Sequence, residues 1–270
     1  MLLEYESTLR ILCFLGVFII MATWEFRSPR RTLLVKKSLR WSHNLGMVAI
    51  NTILLRIIFP TAAVGYALFV ESAGWGLFNY FALPTWLTLI LCLVALDLFI
   101  YLQHAMFHAL PLLWRLHRVH HADLDYDVTT GARFHPIEIL LSMLIKLAAI
   151  TVLGAPAIAV LIFEVMLNAM AMFNHANISL PKHIDRWVRY VFVTPDMHRV
   201  HHSIHRDETD SNFGFNLSIW DRLFFTYKAQ PKDGHDNMVI GIPAFRQTRE
   251  CVSIPAMLIL PFKSRPPRQS

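Results

Sequence analysis

The sequence predicts an all-α fold, a multi-span integral membrane helical bundle with a cytoplasmic, histidine-rich helical cap. Of the 270 residues, 55% are hydrophobic and 16% are charged, whereas an average soluble domain is about 25% charged. The apolar residues gather in five runs that approach the roughly 20 residues a spanning helix needs. Twelve of the 14 histidines lie between His104 and His205. This composition argues against a disordered chain and against an ordinary cytosolic enzyme.

The five predicted spans occupy the first two thirds of the chain. They cover approximately residues 7–24, 45–70, 80–102, 137–153 and 156–173. Gly154-Ala155-Pro156 separates the last two, which predicts a helical hairpin. We divide the chain into an N-terminal transmembrane region with two spans (1–80), a histidine-rich domain (81–230) and a C-terminal cytoplasmic tail (231–270).

The loops between the spans predict the orientation. The segment 25–44 carries six lysines and arginines, and the segment 71–79 carries none. The positive-inside rule therefore places 25–44 in the cytoplasm. Because an even number of crossings separates the two histidine-rich segments, 104–135 and 175–205, both are expected on the cytoplasmic face.

Four charged residues fall inside predicted spans: Arg56, Asp97, Lys146 and Glu164. Charges within a membrane are costly and are usually paired or functional. We expect Arg56 to pair with Asp97 or Glu164. The methionine-rich stretch 166–172 is expected to serve in packing and to help line an apolar tunnel.

Three blocks of histidine have helical spacing. They are His104/His108, His117/His120/His121 and His198/His201/His202, that is, one HxxxH pair and two HxxHH patterns. Spacings of three and four residues place side chains on one helical face. Thr194-Pro195-Asp196 before the third block is typical of a helix start, with a capping residue, a proline and an acid.

The remaining histidines are expected to differ in role. His175 leaves the fifth span at the depth of His104 and is predicted to be a ninth metal ligand. His135 fits direct ligation and a contact with a ligand or the substrate equally well. Contacts with the outer side of the ligand rings are expected from His135, Asn174 and Asp97, and from His205 unless it lies at the surface. Positions at the surface are expected for His43, His183 and His235.

Nine histidines exceed one coordination sphere, because a closed zinc site takes four ligands and a catalytic one takes three. Two ions with four or five imidazoles each fit the number. Neutral imidazole suits zinc, copper, iron and nickel, so the residues alone do not select the metal. The HExxH and deaminase H-x-E…C-x-x-C patterns are absent from the sequence.

These blocks resemble those of the fatty acid hydroxylase/sterol desaturase superfamily of integral membrane di-iron enzymes. The resemblance covers about residues 85–228 and includes the flanking segments 133–138, 174–177, 193–202 and 210–224. Phe225 departs from it, since the family usually has glycine there. This departure concerns the local turn geometry and not metal binding.

The resemblance implies a non-haem di-iron centre in which the eight histidines of the three blocks act in catalysis through the metal. It implies two iron ions, replaceable by zinc in purified material, and O2 as co-substrate. The expected reaction is hydroxylation of an unactivated C–H bond in a lipid or sterol from the bilayer, with desaturation left open. The sequence has no dinucleotide, haem or iron–sulfur fingerprint, so a separate electron donor protein is expected. No nucleic-acid partner is expected.

Two other functions would place the histidines at a different depth in the membrane. A divalent-metal transporter or sensor would need ligands near the bilayer midplane. A membrane b-haem carrier would need central histidines in facing spans. Both fit poorly with histidines at one end of the spans. Within the superfamily, an alkylglycerol-type ether-lipid monooxygenase remains an alternative.

Overall fold

The computed structural model describes residues 3, 5–81 and 83–264. Over this part of the chain the regular structure is helical, with three isolated β-bridges and no strand. The helices are α1 (Glu6–Arg27), α2 (Lys37–Ile58), α3 (Ala62–Ser72), α4 (Leu77–Tyr80), α5 (Thr85–Ala109), α6 (Pro111–His121), α7 (Pro136–Leu153), α8 (Ala157–Asn174), α9 (Lys182–Val188), α10 (Pro195–His201), α11 (Arg206–Thr209), α12 (Ile219–Leu223), α13 (Gly234–Asn237), α14 (Thr248–Cys251) and α15 (Ile254–Ile259).

Within the described part of the chain, five stretches are long and apolar enough to cross a membrane, and they correspond to the five predicted spans. They are Glu6–Arg27, Lys37–Tyr80, Thr85–Ala109, Pro136–Leu153 and Ala157–Asn174. The predicted all-α, multi-span bundle is therefore confirmed. The third span differs most at its end, because α5 continues to Ala109 and so includes the first histidine pair.

The second span, expected at 45–70, is a broken helix. α2 ends at Ile58, and α3 begins at Ala62. Pro60 lies between them; it has no N–H to donate and disfavours helical backbone at Phe59. Ala62 has a φ of 50°, in the left-handed region. Proline thus divides the span into two shorter helices.

Contacts at the two ends show that this broken span still crosses the bundle. Asn51 on α2 donates to the carbonyl oxygen of Phe134 at 2.9 Å, just before α7 begins. The hydroxyl groups of Tyr66 and Thr151 lie 2.9 Å apart, where α7 ends. α2 and α3 therefore follow α7 from one end to the other.

All the histidine-bearing segments lie at the same end of the bundle. Glu25, near the end of α1, accepts hydrogen bonds from the backbone N–H groups of Val128 (2.7 Å) and Asn177 (2.8 Å). Arg40, near the start of α2, forms a fully buried ion pair with Asp123 at 2.7 Å. The two histidine-rich segments therefore share one face. The membrane side on which it lies stays a prediction.

The intramembrane ion pairs differ from those expected. Glu164 on α8 accepts from Arg10 on α1 and from Lys146 on α7, both at 2.6 Å. Arg56 makes no hydrogen bond or ion pair with any residue that the structure describes, so the predicted pairs of Arg56 with Asp97 or Glu164 are wrong.

The C-terminal segment packs on the helices and does not extend away from them. Met257 and Leu260 are buried in one apolar cluster with Met47 of α2 and Val119 of α6. Arg133 ties this cluster together, since its side chain donates to the carbonyl oxygen of Val119 at 2.8 Å and to that of Cys251. The proposed division at residue 231 stays a prediction.

Candidate metal centre

Nine buried histidines form two adjacent groups at this end of the bundle. One group has five members (His104, His108, His117, His121 and His201), and the other has four (His120, His175, His198 and His202). Within each group, one nitrogen of every ring lies within 4.8 Å of those of the other members. These nine are the histidines that the sequence predicted to bind metal.

Local structure explains how the ligand-bearing segments converge. α5 ends at Ala109, and α6 begins at Pro111, so the chain turns sharply between the first two blocks. The third block lies on α10, where the Thr194 side chain accepts a hydrogen bond from the backbone N–H of Met197 at 3.3 Å and Pro195 is the first helical residue. The predicted helix start is confirmed. His175 caps the end of α8.

The spacing of the ring nitrogens fits shared metal ions. In the five-histidine group the Nε2 atoms of His104 and His117 are 3.1 Å apart. In the four-histidine group His175 Nε2 lies 3.1 Å from the Nε2 atoms of both His120 and His198. Two imidazole nitrogens bound about 2.1 Å from one ion would be about 3 Å apart. The rings therefore stand at the separation of ligands to a common ion.

Several rings are oriented by contacts of the nitrogen that faces away from the group. The Nδ1 atoms of three histidines face backbone carbonyl oxygens: His104 with Phe213 (2.8 Å), His175 with Ala171 (2.8 Å) and His201 with Ser211 (2.7 Å). A carbonyl only accepts, so Nδ1 carries the proton in each ring. This leaves the lone pair of Nε2 directed into the group, as in metal-binding histidines.

The inward nitrogens lack other partners. Among the described residues, no hydrogen bond reaches Nε2 of His108, His121 or His201, or either ring nitrogen of His202. Buried polar atoms are normally hydrogen-bonded, so such a cluster of orphans calls for an unseen partner. Metal ions fit this donor set, because neutral imidazole is a common ligand for transition metals.

Burial also sets the charge state of these rings. It lowers the pKa of His117 and of His175 to about 3. It lowers the pKa of His120, His121 and His202 well below the ordinary value, and the neighbouring imidazoles add to this shift. Since a ligand histidine must be neutral, these rings are ready to bind metal at neutral pH.

Glu138 is a functional contact that the sequence analysis did not assign. Its Oε1 lies 2.6 Å from Nδ1 of His117, and both side chains are buried. A carboxylate behind a ligand histidine fixes the ring and raises its basicity. Glu138 lies in the first turn of α7, two residues after the Arg133-Phe-His-Pro motif, and this position is the only feature of the sequence that points to it. Asp210 makes a weaker contact with Nδ1 of His108, at 3.4 Å.

The four residues expected behind the ligands lie elsewhere. His135 caps α7, where its Nδ1 accepts from the N–H of Ile137, and it joins neither group. His205 Nε2 lies 2.7 Å from a carboxylate oxygen of Asp233 at the partly exposed surface of the cap. Neither ring contacts a ligand histidine among the described residues, because neighbouring polar groups hold both rings, and His205 has the surface position that was its alternative.

Asp97 and Asn174 support the cap without bonding to a ligand. Asp97 accepts from the indole N–H of Trp220 at 2.8 Å and so ties the loop after residue 210 to α5. Asn174 donates to the carbonyl oxygen of Phe215 at 2.9 Å. Among the presumed surface histidines, His183 is exposed as expected. His235 is not, since it is 6% exposed and lies 3.8 Å from Asp196.

Phe225 has the backbone conformation that its departure from the family pattern suggested. Its φ is 60°, in the left-handed region that favours glycine. Its side chain is 95% exposed. The hydroxyl of the next residue, Thr226, lies 2.8 Å from that of Tyr101 on α5, so the turn is held against the bundle.

A cavity of about 420 Å³ extends from the histidines into the bundle. At the metal end it is lined by His104, His117, Glu138 and Phe134. Apolar side chains of five helices line its middle, among them Leu55, Ile100, Ile139, Met143 and Met172. This volume is in the usual range for small-ligand pockets. The centre thus adjoins an apolar cavity between the spans.

Comparisons with known proteins agree with this site. The model of the family described as fatty acid hydroxylase matches residues 89–226. Ornithine lipid hydroxylase OlsE of Rhizobium tropici is 30% identical over 149 residues, 55% of this chain and 44% of that protein. Human alkylglycerol monooxygenase is 26% identical over 178 residues (62% and 36%), and human cholesterol 25-hydroxylase is 23% identical over 141 (52% and 51%).

The matched segment spans about a third to a half of the length of these relatives. No solved structure matches the chain.

Proposed function

The chain belongs to the fatty acid hydroxylase family, and on that basis we propose that it is a membrane-bound, non-haem di-iron oxygenase that hydroxylates an unactivated C–H bond of a lipid or sterol. O2 is the co-substrate, and a separate protein supplies the electrons. The observation that carries the proposal is the pair of all-histidine groups beside an apolar cavity. The relatives are named for the hydroxylation or monooxygenation of lipids.

The chain's own residues give the centre three properties. The nine imidazoles would hold two iron ions, with Glu138 orienting His117. When bound, iron supplies the O2-activating redox chemistry that side chains lack. Burial of all nine rings excludes bulk water. His104 and His117 line the cavity, so a substrate chain in the cavity ends against the five-histidine group.

The apolar lining favours a lipid over a water-soluble substrate. Its helices are membrane spans, so the bilayer itself is the source of the substrate. The relatives favour hydroxylation over desaturation, since all three names describe oxygenation. A transporter is disfavoured because both groups lie at one end of the bundle. We propose the cytoplasmic face for this end, from the positive-inside rule.

Metal quantification tests the centre first. The protein, expressed with iron and purified in mild detergent, should carry about two irons per chain. His120 and His121 belong to different groups, so their double alanine variant should lose both ions. His205→Ala is the matched control, because this ring lies in the same cap but binds Asp233. Metal that survives in the double variant would refute the assignment.

Activity is then tested with O2, a chemical reductant and candidate lipids: ornithine lipid, an alkylglycerol and cholesterol. We expect a hydroxylated product from at least one lipid class, with none from His108→Ala or His202→Ala, which each remove one ligand. Retained turnover by either variant would contradict the proposed ligand set.

A further inference from the structure

We propose that the substrate carries an oxyanion, a carboxylate or a phosphate, which Arg56, Arg10 and Lys146 bind at the end of the cavity remote from the histidines. The inference rests on the proposed function, because it names the substrate class of the same site. All three cations line the cavity together with Glu164. Nothing in the catalytic centre requires them.

The charges at this end of the cavity do not balance. Glu164 is buried and already accepts from both Arg10 and Lys146 at 2.6 Å. Arg56 is exposed, lines the same cavity and has no hydrogen bond or ion pair to a described residue. Arg10 also lies 3.5 Å from the carboxylate of Glu6, so three cations face two carboxylates, and Arg56 is the cation without a counter-ion among the described residues. Since intramembrane charges are costly unless compensated, an anionic ligand would complete the cluster.

The residue types fit an oxyanion. A guanidinium presents a planar fork of N–H donors that matches carboxylate or phosphate oxygens in two parallel hydrogen bonds. Arg56 has this fork free, whereas Arg10 and Lys146 supply additional positive charge from α1 and α7. Glu164 holds those two side chains in place, and Arg56 lines the same cavity.

The distance between the charged cluster and the metal centre fits a lipid whose headgroup binds at the cluster and whose hydrocarbon chain reaches the histidines. Lys146 follows Glu138 by eight residues on α7, which corresponds to about 12 Å along the helix axis. Glu164 precedes His175 by eleven residues, or about 16 Å. A headgroup held here would direct its hydrocarbon chain through the apolar middle toward His104 and His117.

The cavity volume limits the ligand to a small amphiphile. About 420 Å³ lies near the lower end of small-ligand pockets, which suits one hydrocarbon chain better than two. We therefore assign the site to single-chain lipids with an oxyanion headgroup. A neutral alcohol of the same length would fill the apolar part but leave Arg56 without a partner.

The test compares three amphiphiles of equal chain length: palmitate, hexadecyl phosphate and hexadecanol. Each is labelled and titrated against the iron-loaded protein in nonionic detergent, at a pH where both acids are ionised. The variants are Arg56→Gln, which removes the charge, and Arg56→Lys, which keeps it. Arg27→Gln is the matched control, since Arg27 is an exposed arginine outside the cavity lining.

We expect wild-type protein to bind at least one acid about tenfold more tightly than hexadecanol. Arg56→Gln should weaken that acid about 10–100-fold, the usual range for a charged hydrogen bond, and leave hexadecanol unchanged. Arg56→Lys should keep most of the preference, and Arg27→Gln all of it. Preference for palmitate alone identifies a carboxylate, and preference for hexadecyl phosphate alone identifies a phosphate.

Two results would overturn the inference: no preference for either acid in the wild type, or equal weakening of acid and alcohol by Arg56→Gln. Because binding is measured without turnover, the two proposals fail separately. An active oxygenase without this preference leaves the proposed function and removes the oxyanion site. A protein that prefers the acid but oxidises no lipid would retain the oxyanion site and refute the proposed function.

Discussion

Glu138→Gln should weaken metal binding at the five-histidine group while the other group stays loaded. In the wild type Glu138 Oε1 and His117 Nδ1 are 2.6 Å apart, with side-chain exposures of 5% and 4%. Glutamine keeps the size and one acceptor oxygen, so the substitution isolates the charge. Loss of such a carboxylate typically lowers metal affinity 10–100-fold, or about 1.4–2.7 kcal/mol.

The assay is competition with a graded series of iron chelators, followed by iron quantification per chain. The variant should release one ion at a weaker chelator than the wild type and hold the second unchanged. Asp210→Asn is the matched comparison. Its carboxylate is 3.4 Å from His108 Nδ1 and 40% exposed, so solvent screens it and we expect less than about a threefold effect. Equal effects of the two variants, or two unaffected ions in Glu138→Gln, would refute the reasoning.

Three further predictions concern stability. Thr194→Ala removes the cap of α10 and should lower the stability by about 1 kcal/mol; differential scanning calorimetry should show a lower midpoint, and Thr194→Ser should restore it. Phe225→Gly relieves a positive φ at a 95% exposed side chain, so we expect a gain of about 1 kcal/mol and a higher midpoint; a lower one would contradict this. In metal-free protein, burial lowers the pKa of His117 from 6.5 to about 3. On acidification, the unfolded chain therefore takes up a proton on His117 at a higher pH than the folded chain does. Stability present above pH 6.5 should therefore be lost as the pH falls toward 3, and a midpoint that rises on acidification would be inconsistent with buried neutral histidines.

Short sequence patterns correctly predicted the helix ends, because a helix end depends on contacts between residues close in sequence. The helical hairpin of α7 and α8 was expected at 137–153 and 156–173 and lies at Pro136–Leu153 and Ala157–Asn174. Its ends are marked by Gly154, which has a φ of 65°, and by prolines. The cap of α10 was also read correctly, because Thr-Pro-Asp acts through contacts a few residues apart.

The failures have two causes: packing between distant helices, and neighbouring groups whose effect the spacing of the motifs does not show. Arg56 was paired by its depth in a span, but depth does not tell which helix neighbours which face. His135 and His205 were placed by their proximity in sequence to the ligands, yet groups next to them capture both rings. Pro60 lies inside the span expected at 45–70 and divides it into α2 and α3.

The sequence predicted two sets of four or five histidines but not which histidines belong to each set, and this membership has a consequence for metal loading. In α6, His117 and His121 belong to the five-histidine group and His120 to the other. In α10 the pattern is reversed, since His198 and His202 belong to the four-histidine group. Residues four apart share a face more closely than residues three apart, so each HxxHH helix presents a pair to one ion and a single ring to its neighbour.

Each ion would therefore be held by both helices. We expect the first ion to hold α6 and α10 in place and so to prepare the ligands of the second, because the entropy of ordering both helices is lost only once. The geometry thus favours cooperative loading, in which protein with two ions accumulates at the expense of protein with one. Glu138→Gln is expected to be an exception and to yield protein with one ion, because it weakens metal binding at the five-histidine group but leaves both helices in place.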